Sequence, residues 1–250
     1  MNNQSVKIQY IFHSGFSVQT VNCFLIFDYY KGHVDLNKPD LANKKMYVFS
    51  SHSHGDHFNN EIFKWSITRP DIKYILSSDI KDSIKDIANN NQNTIFISPY
   101  QKIKIDNLNI KAFGSTDIGI SFLVDIDDLR IFHAGDLNWW AWPDDTPEEA
   151  ATMRNAFTGE ISKIKKYISS QEIDIAFFPV DPRLENNYYM GGEYFIKEIS
   201  PKHLFPMHFG VSYETTGKFA QYMSDLKAQN KIHGKTRIFT ISNKGQEFFI

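Results

Sequence analysis

Seven consecutive residues, Ser51-His52-Ser53-His54-Gly55-Asp56-His57, constrain this chain more than any other stretch. They place three imidazoles and a carboxylate between His52 and His57. Just upstream runs Met46-Tyr47-Val48-Phe49, which is apolar and β-prone; downstream, Phe58-Asn59-Asn60 leads into Glu61-Ile62-Phe63-Lys64-Trp65. The pattern predicts a strand ending in a ligand-rich loop, then a helix capped at Asn59 or Asn60. Histidine and aspartate supply the nitrogen and oxygen donors that zinc, iron(II) and manganese accept. His52 and His54 lie two apart and can face one way in an extended loop. Gly55 allows a sharp turn before Asp56 and His57. The loop can therefore serve two adjacent metal positions, one from each half. A lone HxH is more often a solvated polar loop, but HxHxDH directly after a strand carries far more weight.

Two further strand ends carry the same kinds of donor. Leu129-Arg130-Ile131-Phe132-His133 runs into Ala134-Gly135-Asp136, and His203-Leu204-Phe205-Pro206-Met207 runs into His208-Phe209-Gly210. A carboxylate at Asp136 could bridge two ions through its two oxygens. Taken singly, Asp136 would be a turn residue and His208 a core or surface histidine about as often as a ligand. The coincidence of three such places is what counts.

The rest of the chain supplies the scaffold. Val6–Phe12, Phe16–Thr20 and Cys23–Asp28 read as consecutive strands with tight turns. Residues 29–45 read as a loop and Lys73–Leu76 as a strand. A helix from Asp79 to about Ala88 is capped by Ser78 and ended by Asn89-Asn90-Asn91. Thr94–Ile97, Lys102–Ile105, Leu108–Phe113, Ile120–Asp125 and Leu129–His133 then read as one antiparallel meander. Thr146-Pro147-Glu148-Glu149 is a capping box opening a helix towards Ser169. Ile173–Val180 and His203–Met207 are strands, Glu193–Ile199 and Glu214–Gln229 helices. Thr236–Ile241 and Gln246–Ile250 read as a closing hairpin around Asn243-Lys244-Gly245. The aromatic loop Trp139–Trp142 and the loop carrying Arg183, Tyr188 and Tyr189 are expected to flank one pocket beside the ligands. The order of elements favours two packed sheets with helices outside.

Composition excludes several classes. Formal net charge is −2 in 250 residues, which argues against a dedicated nucleic-acid binder with a basic stripe. Cys23 is the only cysteine, so no internal disulfide is expected and the thiol reads as a small core group. No apolar run is long enough to span a bilayer and the N-terminus lacks a signal-peptide core, so a cytoplasmic protein without membrane association is the default.

The sequence resembles the metallo-β-lactamase superfamily through His52-Ser53-His54-Gly55-Asp56-His57, His133-Ala134-Gly135-Asp136 and Pro206-Met207-His208. His13-Ser14-Gly15-Phe16 followed by Ile26-Phe27-Asp28, and Tyr189-Met190-Gly191-Gly192, resemble the branch holding ascorbate-phosphate-lactonase-like hydrolases. The resemblance implies an α+β fold over residues 1–250 as one domain: a four-layer αββα sandwich of two mixed sheets with helices on the outer faces. It implies that His52 and His54 bind a first metal, that Asp56, His57 and His208 bind a second, and that Asp136 bridges. Asp28 occupies a position that braces the histidine loop in the family, and His13 either lines the site or, the favoured reading, is structural. The family usually supplies a further histidine to the first metal, but Lys111–Gly119 contains none. Asp117 or Ser115 stands in for it, or the first site is weak.

The function implied is a metal-dependent hydrolase using a metal-bound hydroxide on an ester, lactone, amide or phosphoester of a small molecule, with one or two zinc ions, or manganese or iron. Asp56 is the candidate catalytic residue, orienting the nucleophile or carrying its proton. The alternatives are a phosphodiesterase or nuclease of the same fold and a non-catalytic metal-binding protein with a decayed first site.

Overall fold

The computed structural model describes residues 5–84 and 93–250. The first sheet holds β1 (Lys7–Phe12), β2 (Gly15–Gln19), β3 (Cys23–Phe27), β4 (Lys45–Ser50), β5 (Lys73–Ser77), β6 (Thr94–Ile97) and β14 (Glu247–Phe249), in the order β14-β1-β2-β3-β4-β5-β6. The second holds β7 (Lys102–Ile105), β8 (Leu108–Phe113), β9 (Ser121–Ile126), β10 (Leu129–His133), β11 (Ile175–Pro179), β12 (His203–Met207) and β13 (Arg237–Ile238), in the order β13-β12-β11-β10-β9-β8-β7. Both sheets are mixed: β3 to β6 run parallel, as do β10 to β13, and the remaining pairs are antiparallel. This is the α+β sandwich that the resemblance implies.

Alternation along each strand sorts side chains between the two faces. On β4, Tyr47 and Phe49 enter the core shared with the second sheet, while Met46 and Val48 face outwards to Ile62, Phe63 and Ile80. β11 does the same: Phe177 meets Phe16 with ring centroids 4.3 Å apart, and Phe178 stacks on Phe195 at 4.5 Å. Phe195 belongs to α2 (Met190–Ile199), which with α1 (Pro147–Ile168) covers the second sheet. Thr146 and Glu149 close a reciprocal capping box at the start of α1, with Pro147 in its first turn. α3 (Glu214–Ala228) packs through Phe219 against Gly192 of α2.

Parallel strands leave the sheet from the same edge, so the loops following β3, β4, β10, β11 and β12 emerge together. These loops carry Asp28, the histidine loop, Asp136, Asp181 and His208.

Several elements depart from the sequence expectations. The segment after the histidine loop is a 3-10 helix, Asn60–Ile67, capped by the Asn59 side chain accepting from the Glu61 N–H. Ser78–Ile84 is also a 3-10 helix, and the rest of the expected Asp79–Ala88 helix, with Asn89-Asn90-Asn91, lies outside the described residues. Thr94–Ile97 is not part of the meander; it pairs in parallel with β5. The Ser98–Gln101 turn, closed by a Gln101 N–H to Ser98 carbonyl bond, sends the chain to the other sheet, and short spacing hides that change. The closing hairpin does not form either. Arg237–Ile238 pairs with β12 and Glu247–Phe249 with β1, so the final turn links the two sheets. α2 begins at Met190, before the expected Glu193. Gly191 permits this, because a Cβ there would lie 1.9 Å from Asn138 Oδ1.

Phe177 touches aromatic rings from both sheets: Phe16 at 4.3 Å, Phe205 at 5.6 Å and His133 at 5.8 Å between centroids. Truncation to alanine leaves a cavity at the centre of the sandwich. Phe177→Ala is expected to cost about 3–5 kcal/mol in urea unfolding; a loss below about 1 kcal/mol would contradict this packing.

Candidate metal centre

The histidine loop hangs from one buried carboxylate. Asp28 accepts the Ser51 N–H at 2.7 Å, the Ser51 hydroxyl at 2.6 Å and the His57 Nδ1–H at 2.7 Å. Burial works to raise its pKa, but His133 and His57 hold the carboxyl below the usual range. With Nδ1 engaged by Asp28, His57 turns Nε2 towards Asp136 Oδ1, 3.0 Å away. The second sheet repeats the device. Asp181, gripped by Arg183 through its Nε and one terminal nitrogen, engages His208 Nδ1 at 2.9 Å, and His208 Nε2 lies 3.3 Å from the same Asp136 oxygen. Carboxylates on the far nitrogen fix tautomer and orientation in metal-binding histidines.

Asp136 stands between two groups. Its Oδ1 faces His57 and His208, and its Oδ2 lies 3.4 Å from His52 Nε2. His52, His54 and Asp136 form one set of converging donors; His13, Asp56, His57 and His208 form another, the donor atoms of each lying within 4.8 Å of one another. His57 Nε2, His208 Nε2 and Asp136 Oδ1 are buried yet make no hydrogen bond of normal geometry. Buried polar atoms rarely stay unpartnered without a reason. Imidazole nitrogens and a carboxylate aimed at common points fit divalent ions well.

Electrostatics in the metal-free chain follow from this crowding. Burial opposes the charge of His57, but Asp136 and Asp28 outweigh it and push its pKa up to about 10. Asp136 is held well below its ordinary value by His208, His52 and His57, against the opposing effect of burial.

All the sequence candidates except Asp117 fall into the two sets. Asp117 sits at the rim, half exposed, with its carboxylate 3.8 Å from His54 Nδ1. Ser115 accepts the Asp117 N–H and thereby shapes that rim turn. Gly119 brings this segment against the histidine loop with φ +84°; a Cβ there would lie 2.2 Å from the Ser51 carbonyl. Gly55, by contrast, has no positive φ and open space around it, so the turn before Asp56 does not depend on it. His133 is no ligand: its Nε2 donates to the Ser14 carbonyl at 2.9 Å and its Nδ1 accepts the Gly135 N–H at 3.2 Å.

Two positions gain weight in the structure. His13, which the sequence places either at the edge of the site or in a structural role, joins the second set of donors, and Asp181, which the sequence does not single out, orients His208. Both follow strands, at the same edge as the other donors, and that position was the available signal. Beside the donors lies a cavity of about 370 Å³ lined by Thr116, Trp140, Trp142, Met153 and Arg183. Both expected loops thus reach it, but Trp139 packs on Phe157 and Tyr194, and Tyr189 on Tyr222. A larger concavity of about 680 Å³ lies at the other end of β9 and β10. Of its carboxylates, Asp127 is bonded by Thr20 and Asn22, Asp125 by Arg130 and Asp174 by Lys202, which braces the turn.

Comparison with known proteins agrees with this architecture. Residues 7–141 match the family model for the beta-lactamase superfamily domain. No curated protein sequence matches the chain. Among solved structures, Igni18, a metallo hydrolase from Ignicoccus hospitalis, is 18% identical with a TM-score of 0.62 over 99% of both chains. YhfI from Bacillus subtilis, a metallo-beta-lactamase fold protein, is 12% identical with a TM-score of 0.61, over 98% of this chain and 100% of that one. CmlA, a diiron beta-hydroxylase from Streptomyces venezuelae, is 8% identical with a TM-score of 0.65; all of this chain spans 54% of CmlA. At these identities the likeness is one of fold.

Asp28 reaches the metal-facing atoms only through His57 and Ser51. Asp28→Ala is expected to weaken metal binding about 10–100-fold, measured by calorimetric titration of chelator-stripped protein. Wild-type affinity in that variant would show that the brace is not needed.

Proposed function

The chain belongs to the beta-lactamase superfamily, and from that premise we propose that it is a metal-dependent hydrolase of a small-molecule ester, lactone, amide or phosphoester. The observation that carries this reading is the convergence of the buried, unpartnered His57 Nε2, His208 Nε2 and Asp136 Oδ1 beside a cavity of small-molecule size. Ions bound there would polarise a carbonyl or phosphoryl oxygen and lower the pKa of water towards neutrality. We propose zinc, one or two ions per chain. If the rim carboxylate of Asp117, 3.8 Å from His54 Nδ1, is drawn in as a donor, that harder ligand would favour manganese or iron at the first position.

The chain's own residues supply the rest. The neighbouring His13 imidazole holds the Asp56 carboxyl below the usual range, against the opposing effect of burial. Asp56 therefore stands ionised at neutral pH, able to orient an attacking water as a hydrogen-bond acceptor. Trp140 and Trp142 lie stacked, 6.1 Å apart and inclined by 10°, and with Met153 give the cavity an apolar wall. Arg183, whose guanidinium lies 5.8 Å from the Trp142 ring, adds a cation to the same wall. These features favour a substrate with an apolar or aromatic body and an anionic end. The acidic residues Asp56 and Asp117 at the mouth and the net charge of −2 weigh against a nucleic-acid strand.

A panel of carboxylic esters, lactones, amides and small phosphodiesters tests the proposal. At least one member should be hydrolysed by metal-replete protein, with activity abolished by chelator and restored by zinc or manganese. His208→Ala should lower metal content and activity together. Metal-replete protein inactive across the whole panel would favour the non-catalytic alternative.

A further inference from the structure

We propose that His13 is a direct ligand of the second metal position, closing it with protein donors and leaving the first position as the open, exchangeable one. This rests on the metal-dependent reading above and assigns unequal tasks to its two positions. His13 lies in the turn between β1 and β2, where a left-handed residue such as asparagine or glycine would suffice. A residue serving only that turn would send its ring to solvent or to a hydrogen bond. Instead the His13 side chain is 13% exposed, and its Nε2 is buried without a hydrogen-bond partner. That nitrogen lies 3.4 Å from Asp56 Oδ2, and the ring centroid is 4.1 Å from that of His208 and 5.8 Å from that of His57.

The backbone holds the ring there at a cost. His13 has φ +58° and His208 has φ +67°, the left-handed region that few non-glycine residues enter, histidine more readily than most. Such conformations persist where the surroundings over-determine them, and they cluster at functional sites. Here the two strained histidines are bonded to each other: the His208 N–H donates to the His13 carbonyl at 3.1 Å, and the His13 N–H donates to the Tyr10 hydroxyl at 2.8 Å. One turn of the first sheet is thereby locked to a strand end of the second, and both rings are delivered to one point. Simple bracing of Asp56 by His13 explains less, because their 3.4 Å approach is not a hydrogen bond of normal geometry.

With His13 included, the second position has His13, Asp56, His57, His208 and one oxygen of Asp136. Four protein donors already close a structural zinc site. The first position has only His52, His54 and the other Asp136 oxygen in close array. Both positions reach the cavity, through His54 at 49% and Asp56 at 46% exposure, so the number of protein donors is what separates them. Open coordination for water and substrate therefore falls to the first position, while the second holds its ion as part of the fold.

The test is zinc titration of chelator-stripped protein against a competing chelator, comparing wild type with His13→Asn. Asparagine tolerates the left-handed turn. His33→Asn, at an exposed histidine outside the site, is the control. Wild type should show one tight and one weaker step. His13→Asn should weaken the tight step tenfold or more and leave the weaker step and the melting temperature of the metal-free protein nearly unchanged. In ¹⁵N-histidine spectra of wild type, the first zinc equivalent should shift the His13 ring nitrogens, a readout that holds even if the variant does not fold. The proposal is overturned if His13→Asn keeps wild-type affinity while His57→Ala loses the tight step, or if the His13 signals ignore the first equivalent. Wild type that binds no metal would overturn this proposal and the hydrolase reading together.

Discussion

The Asp28 carboxylate carries its charge where water does not reach, at the end of β3, and the arrangement of the site follows from how that charge is accommodated. Burying an ion costs several kcal/mol unless neighbours compensate. Here compensation comes from three short bonds to Ser51 and His57, and those bonds are what shape the histidine loop. Asp181 plays the same part on the opposite sheet, with Arg183 as its counter-charge. Asp136 then sits between the two oriented imidazoles. Four carboxylates, Asp28, Asp56, Asp136 and Asp181, are concentrated around a few histidines and one arginine. Without an ion, protons on the imidazoles balance part of that charge, which is why His57 holds its proton so firmly against its burial. A divalent cation held by these donors would balance the same charge, and would displace protons to do so.

That charge arrangement is possible because the two sheets end together. Each sheet switches from antiparallel to parallel pairing, at β3 and at β10, and the parallel halves share one edge. Phe16, Phe27, Phe177 and Phe205 hold the sheets in fixed relation beneath it. His133 is the transition between the two regimes: its ring stacks on Phe27 at 5.2 Å and its nitrogens bond backbone on both sheets. A histidine one strand residue below the donors is thus consumed by packing, although chemically it is the same group as its neighbours.

Most of the donor set was legible because strand-end histidines and aspartates announce themselves locally. HxHxDH after Met46–Phe49 and Gly135-Asp136 after β10 need no knowledge of what packs where. Asp181 was not legible and His13 only as a residue that could line the site, since their placement depends on partners about 27 and about 195 residues away, respectively, along the chain. The fold shows the same division. Strands and the capping box at Thr146 follow from alternation and local hydrogen bonding. Which sheet a strand joins depends on edge pairing that short spacing cannot reveal, so β6 and the last two strands were assigned wrongly. The 3-10 helices Asn60–Ile67 and Ser78–Ile84 are too short for periodicity to distinguish them from α-helix.

Exposure differs sharply between the oriented imidazoles and the rim of the site, and that difference divides structure from specificity. His57 and His208 are fully or nearly fully buried, whereas His54 and Asp117 are about half exposed at 49% and 50%. A substrate can approach only from the exposed side, past Trp142 and Arg183. Those residues sit on loops that the sheets hold in place but whose own side chains contribute little to the core. Trp142 can change without disturbing Asp28, Asp136 or the oriented imidazoles, whereas Arg183 also holds Asp181 and through it His208. Substrate choice in such a molecule therefore lies in the loops after β10 and β11, and the donor set alone leaves it undetermined.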